Sequence, residues 1–222
     1  MSRVGMDLAG VASFVQLLLD WFGKNGRDYP WRRTTDPYHV FVAECMLQRT
    51  TPGHVVAVYE DFLKRYPTPQ AAASASDSDI LGLLERLGLK HRWPLFKKAL
   101  DKIAREYGGR IPDDADALVD LPGVGPYTAR AVLCFAHGRD LALVDVNVVR
   151  VLERALGLRS GKKRPHTDQD FWKEVDGLVP TGRSREFNLA LIDLAALVCR
   201  RHVPKCLLCP VSRACRCVEG DL

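Results

Sequence analysis

Residues 121–150, LPGVGPYTARAVLCFAHGRDLALVDVNVVR, constrain the fold more than any other part of the chain. They open with a glycine-rich turn, Pro122-Gly123-Val124-Gly125-Pro126. A helix follows with Ala129, Val132, Leu133 and Ala136 on its apolar face, and Gly138 breaks it. An apolar approach over 141–144 then delivers Asp145 to the start of another helix. Two glycines two apart let the backbone come close to another chain with its N–H groups turned outward. At a helix start such N–H groups bind anions, phosphate above all. The stretch can therefore hold a phosphate at one end and aim a carboxylate at the other. Its plain alternative is an ordinary helical hairpin with a glycine turn.

The chain is 222 residues long, enough for one large or two small domains with a proper core. Its net charge of +5 suits an anionic partner. No apolar run reaches transmembrane length and the N-terminus carries no signal-peptide pattern, so a soluble protein is expected. Seven cysteines, four of them crowded near the C-terminus, argue against a secreted disulfide framework. They favour a ligand cluster in a reducing cytoplasm.

Residues 8–22 read as an amphipathic helix through Val11, Phe14, Val15, Leu18, Leu19 and Phe22. GKNGRDYPWRR breaks it; Tyr29 and Trp31 are plugs of a core or interface, and Arg32 and Arg33 a solvated basic rim. A helix over 38–46 carries Glu44 among Val40, Phe41, Ala43, Cys45 and Leu47. A carboxyl in such apolar company finds a partner or has a raised pKa, which suits proton transfer. Periodicity alone instead leaves Glu44 on the exposed stripe. The helix over 55–66 turns Val56, Tyr59, Phe62 and Leu63 inward and ends at PTPQ. Asp77 or Ser78 caps the next helix, with Leu81, Leu84, Leu87 and Leu89 in the core. Lys90, His91 and Arg92 form a basic turn that can meet phosphate. Residues 94–107 are helical with Leu95, Ala99, Ile103 and Tyr107 in step, and GGRIP stops them. Asp113, Asp114, Asp116 and Asp120 mark a solvated helix N-terminus. No strand pair stands out, so the fold class is all-α.

After Asp145, the helix over 146–156 shows Val149, Leu152 and Leu156 on one side. Arg159, Lys162, Lys163 and Arg164 lie in a basic connection, solvated or touching phosphate. Helices over 171–178 and 184–198 complete the pattern. Cys199, Cys206, Cys209 and Cys215 are then spaced C-x6-C-x2-C-x5-C. Four thiolates in one short loop enclose a metal or a cluster, and spacing alone leaves zinc and iron–sulfur open. Cys217 is the rival to Cys215, whereas Cys45 and Cys134 sit on apolar helix faces as packing residues. Arg200, Arg201, His202 and Lys205 present positive charge between the first two cysteines, suited to phosphate contacts.

LPGVGPYTA followed by VDVNVVRV resembles the helix-hairpin-helix and Gly/Pro-Asp motif of the DNA base-excision glycosylases. PWR with DPY, AECMLQRTT and REFNLALIDLAALVC resemble further segments of that superfamily. The resemblance covers about residues 21–215. It implies a six-helix barrel near 29–139 and a cluster domain of 1–28 plus 140–222, with DNA in a cleft between them. It implies a [4Fe–4S] cluster on Cys199, Cys206, Cys209 and Cys215, structural rather than catalytic. It makes Asp145 the carboxylate beside C1′ of the extruded nucleotide, with Glu44 polarising the leaving base or placing water. It has Gln48 fill the gap left by that nucleotide and Arg49 read the widowed base, where both otherwise read as surface residues. The phosphate grip falls to Gly123, Gly125 and their neighbours Leu121, Val124 and Thr128. Asn188 and Asp193 are expected to be structural.

Tyr127 stands where the bifunctional endonuclease III family has the lysine that forms a Schiff base with the sugar. The resemblance therefore implies a monofunctional enzyme, with Tyr127 at the pocket mouth as a catalytic or packing group. Val146, the loop LGLKHR over 87–92 and the end at residue 222 depart from the adenine glycosylases. QRTTPGHV, VDVNVVRV and VPTGRSREFNL look like the thymine/uracil mismatch glycosylases, which remove T or U opposite G. Adenine removal opposite G or 8-oxoguanine is the alternative, and a non-catalytic iron–sulfur DNA-binding or redox-sensing protein is the alternative of another class. The expected partner is mismatched double-stranded DNA. A monomer is expected, cytoplasmic and nucleoid-associated in a prokaryote, with no membrane contact.

Overall fold

A computed structural model describes residues 7–88 and 92–217, and every regular element among them is helical. Leu89, Lys90 and His91, assigned above to core and basic turn, lie outside the described residues. The described chain forms two compact units. One comprises residues up to Arg27 together with those from Gly138 onward, and the other runs from Asp28 to His137.

In the continuous unit, α2 (Pro37–Leu47) starts from Asp36, whose side chain accepts from His39 N, with proline at the first helical position. Tyr38, Val40 to Glu44 and Met46 are all buried, so this helix is enclosed on every side. That is why it shows no apolar stripe in the sequence. α3 (Pro52–Arg65) packs on it through Val55, Val58, Tyr59 and Phe62. Val56 and Leu63 are only half-buried, so the inward face is rotated from the expected one. PTPQ does more than stop α3. Thr68 caps a further short helix, α4 (Pro69–Ala73), because proline is welcome at its first position. The cap of α5 (Asp77–Leu84) is Ser76 rather than Asp77 or Ser78, since its hydroxyl accepts from Asp79 N. Ile80 and Leu83 are buried beside Leu84, while Leu81 is half-buried.

α6 (Trp93–Glu106) buries Trp93, Phe96, Ala99, Leu100 and Ile103 against α4. Leu95 is 46% exposed, against expectation. Gly108 and Gly109 end this helix in the left-handed region, φ 59° and 81°. Asp114 caps α7 (Ala115–Val119), and α8 (Pro126–Phe135) follows the glycine turn and packs on α2 and α7.

In the discontinuous unit, α1 (Leu8–Asn25) buries Phe14, Leu18 and Leu19 against α11 (Ser184–Leu197). Asp193, fully buried, accepts from Arg27 N and Arg27 Nε, both at 2.7 Å, so the end of α1 is tied to α11 by a paired buried charge. α9 (Val146–Leu156) also packs on α11, and Val149, Leu152 and Leu156 are buried as expected. α10 (Gln169–Asp176) adds Phe171, Trp172 and Val175 to this core.

Candidate active site

Asp145 is placed by a segment with almost no freedom. Asn188, 1% exposed, accepts from Leu143 N at 2.7 Å and donates to Leu141 O and Ser184 O. Asp176 accepts from Ala142 N, and Ser184 Oγ donates to Arg139 O. The apolar approach is therefore pinned at successive residues. At its end Asp145 caps α9, with Oδ1 accepting from Asn147 N at 2.8 Å and Val148 N at 2.7 Å. Oδ2 accepts from the Asn147 side chain at 2.8 Å. Three N–H donors thus hold a half-buried carboxylate at the positive end of a helix, with lone pairs left on Oδ2. A negative charge so fixed can stabilise a developing positive charge without reorganising.

Arg150 extends that hold. Its guanidinium donates to Asn147 Oδ1 at 2.9 Å, to Cys199 O at 3.0 Å and to Ala195 O at 3.0 Å. Arg154, one turn on, donates to Arg200 O, Arg201 O and Cys199 Sγ, the last at 3.7 Å. One helix face therefore holds both the carboxylate and the start of the cysteine loop. The side chains of Arg200, Arg201 and Lys205 are exposed on a backbone that is held, Lys205 N donating to Val198 O.

None of the seven cysteines forms a disulfide. Burial pushes the Cys209 thiol up to about 11, and Cys215, Cys199 and Cys206 also act on it electrostatically. Three of the four thus act on the fourth, and the donors are all sulfur, the donor type of a thiolate-held group. Cys215 Sγ meets Arg154 O at 3.6 Å, whereas the exposed Cys217 gives its N–H to the same carbonyl and does not act on Cys209. Among the described residues, no group of three or more His, Cys, Asp or Glu is arranged to hold a metal ion.

Glu44 sits in the other unit, in a different setting. It is 8% exposed, on the enclosed helix α2, not on an exposed stripe. Burial raises its carboxyl to about 7, with the Arg32 guanidinium pulling the other way. Arg32 is thus more than a solvated rim. It lies over the Tyr29 ring at 5.3 Å, and Tyr29 stacks on the buried Trp31. A carboxyl poised near neutrality can give or take a proton at working pH.

The glycine turn offers donors of its own. No hydrogen bond among the described residues takes up the N–H groups of Gly123 and Gly125. Leu121 N and Val124 N are spent on Leu118 O and Leu121 O, and both side chains are buried. The turn itself thus consumes the backbone donors of these two residues. Gly123 has φ 80°, and a Cβ there would stand 3.1 Å from Leu95 Cβ. Gly125 has open space around its missing Cβ. Thr128 is 5% exposed and accepts from the Gln48 amide at 3.4 Å, so its side chain faces a neighbour rather than solvent. Tyr127 is half-buried on the first turn of α8.

Gln48 ends α2 and is half-buried. Its amide also donates to Gly123 O at 3.5 Å, and its oxygen accepts from Arg92. Arg92, placed above in a basic turn, is therefore engaged with Gln48. No pattern in the sequence signalled that pairing. Arg49 is exposed with φ 61°, the one positive value at a non-glycine position among the described residues.

A family model of the helix-hairpin-helix motif matches residues 106–135. A thymine/uracil-DNA glycosylase of Pyrobaculum aerophilum is 42% identical over 203 residues, which cover 90% of this chain and 88% of that protein. An adenine DNA glycosylase of Mycobacterium tuberculosis is 41% identical over 88% of this chain, which spans 64% of that protein. The solved structure of a thermostable thymine-DNA glycosylase superposes with a TM-score of 0.89 at 36% identity, covering 96% of this chain and 98% of that one.

Proposed function

Because the chain belongs to the helix-hairpin-helix DNA glycosylases, enzymes that hydrolyse N-glycosidic bonds in DNA, we propose that it removes thymine or uracil opposite guanine by hydrolysis alone. The observation that carries the hydrolytic reading is the carboxylate of Asp145, held by three N–H donors at the head of α9. The likeness to thymine/uracil enzymes over nearly the whole chain supports the choice of base.

In this reading the target nucleotide is turned out of the duplex, at a cost of about a few kcal/mol that is lower at a mispair. The C1′–N bond breaks with positive charge gathering on the sugar, as in other glycoside hydrolysis. Asp145 stabilises that charge. Water supplies the hydroxyl that ends on C1′, and the departing base takes up the proton. Glu44, poised near neutrality, provides that proton or places the water. Tyr127 occupies the position of the Schiff-base lysine and forms no covalent intermediate, so the strand stays unbroken. Gly123 and Gly125 grip a phosphate through their unspent N–H groups, with Thr128 beside them and Arg200, Arg201 and Lys205 as charged contacts. Gln48 enters the gap and Arg49 meets the widowed base.

Cys199, Cys206, Cys209 and Cys215 hold a [4Fe–4S] cluster that ties the loop 199–215 into one piece. We assign residues 29–139 to the barrel domain and 1–28 with 140–222 to the cluster domain. No helix among the described residues is long and apolar enough to cross a membrane. We place the enzyme, as a monomer, in the cytoplasm and at the nucleoid of a prokaryotic cell.

Labelled duplexes carrying T:G, U:G, A:G and A:8-oxoguanine test this reading before and after alkali. Cleavage of T:G and U:G only after alkali is the expected result. Activity confined to adenine pairs overturns the choice of base, and breakage without alkali overturns the role given to Tyr127. Absorbance near 400 nm with bound iron and sulfide distinguishes the cluster from zinc.

A further inference from the structure

Gln48 carries a carboxamide whose two ends differ, one accepting and one donating. Arg92 has donors only, so the end it meets must be the oxygen. Gly123 O on the other side accepts only, so the NH2 must face it. The orientation of the amide is therefore dictated by chemistry. The two restraints are unequal. A charged donor holds the oxygen, whereas the NH2 reaches Gly123 O and Thr128 Oγ1 at 3.5 and 3.4 Å, long contacts that yield easily.

We propose that Arg92 is a positioning residue that locks the polarity of Gln48, so that Gln48 meets the opposing strand as a hydrogen-bond donor. This rests on the reading of Gln48 as the residue that enters the gap. When the NH2 leaves the glycine turn, Arg92 keeps the oxygen, and only the donor end is free. The facing base is then favoured where it presents an acceptor, as guanine does at O6. It is disfavoured where an amine stands in that place, as in 2,6-diaminopurine. Opposing-base preference would thus be set in part by an arginine that touches no base.

The test uses the full chain with its native cluster content and duplexes holding a tetrahydrofuran abasic analogue opposite guanine or 2,6-diaminopurine. Binding is read by fluorescence anisotropy. The wild type is expected to favour guanine by roughly tenfold, the discrimination one hydrogen bond supplies. Arg92→Lys, still donor-only, keeps that preference. Arg92→Met lets the amide turn over, and the preference falls to within about twofold. Gln48→Glu pairs with Arg92 but has no donor, and loses the preference as well. A general loss of structure weakens both duplexes alike and leaves the ratio in place. The proposal is overturned if Arg92→Met retains the wild-type ratio, if Arg92→Lys loses it, or if the wild type shows none. Release of T and U from G pairs by the wild type is measured alongside. Failure there removes the base assignment, while the ratio on abasic analogues still judges Arg92.

Discussion

Asp145 and Glu44 carry the same functional group and are prepared in opposite ways. Asp145 is surrounded by donors: two backbone N–H groups, the Asn147 amide and, behind it, Arg150. Glu44 is surrounded by apolar side chains on an enclosed helix, with Arg32 the cation that acts on it. The first setting keeps a charge in place; the second makes a charge costly. In the proposed reaction, which needs both a fixed anion and a mobile proton, settings this different suit the two carboxyl groups to different tasks.

The largest effect is expected from breaking the first setting. Asp145→Asn keeps a good helix cap but removes the charge, so base release should fall about a thousandfold or more while thermal stability changes little. Asp145→Ala should lose the activity and also about 1 kcal/mol of stability. Single-turnover release and thermal melts separate the two variants. An active Asp145→Asn protein means the wrong carboxylate has been chosen.

Breaking the second setting gives a smaller loss and a different pH signature. Glu44→Gln should slow release by about a hundredfold or more. If Glu44 donates the proton, the wild-type rate falls as pH rises through about 7 and the variant's does not. Stability follows the same group. Its folded pKa of about 7 lies above the ordinary 4.5, so its contribution is whole below about 4.5 and is lost as pH rises through 7. At pH 8, Glu44→Gln should be more stable than the wild type, by up to about 3 kcal/mol. Denaturant melts at pH 4 and pH 8 that show the same difference would refute this.

The support behind Asp145 comes next. Arg150→Met should leave Asn147 less well oriented and lower the rate about tenfold, with weaker effect on DNA binding. Of similar size but confined to binding is the effect of Gly123→Ala, which puts a side chain at φ 80° against Leu95 and should weaken binding to every duplex by about 1–2 kcal/mol without changing base preference.

The helical class, Asp145 at its helix start and the cysteine spacing were all legible in the sequence, because glycine, proline and cysteine leave marks that do not depend on distant residues. Faces were harder. α2 is buried all round, so its stripe does not exist, and Glu44 looked exposed by periodicity while its neighbours said otherwise. α3 and α6 are rotated from their expected faces, which left Leu95 in solvent and Val55 in the core. Those outcomes depend on which neighbour a helix meets. The same holds for Arg92 and Gln48, 44 residues apart, and for the chain of contacts from Asn147 to Cys199. That Leu121 N and Val124 N bond within their own turn cannot be read from its composition either.

The discontinuous unit sets an order of events at the ribosome. Of the described helices α1 is made before the others, yet its partners on α11 follow about 160 residues later, a delay of roughly ten to thirty seconds at ordinary translation rates. During that interval Phe14, Leu18 and Leu19 have no native surface to cover them, while the continuous unit from Asp28 to His137 already has all its helices. The middle of the chain can therefore mature before the unit that flanks it, and α1 is the described helix left longest with its apolar face open to a chaperone.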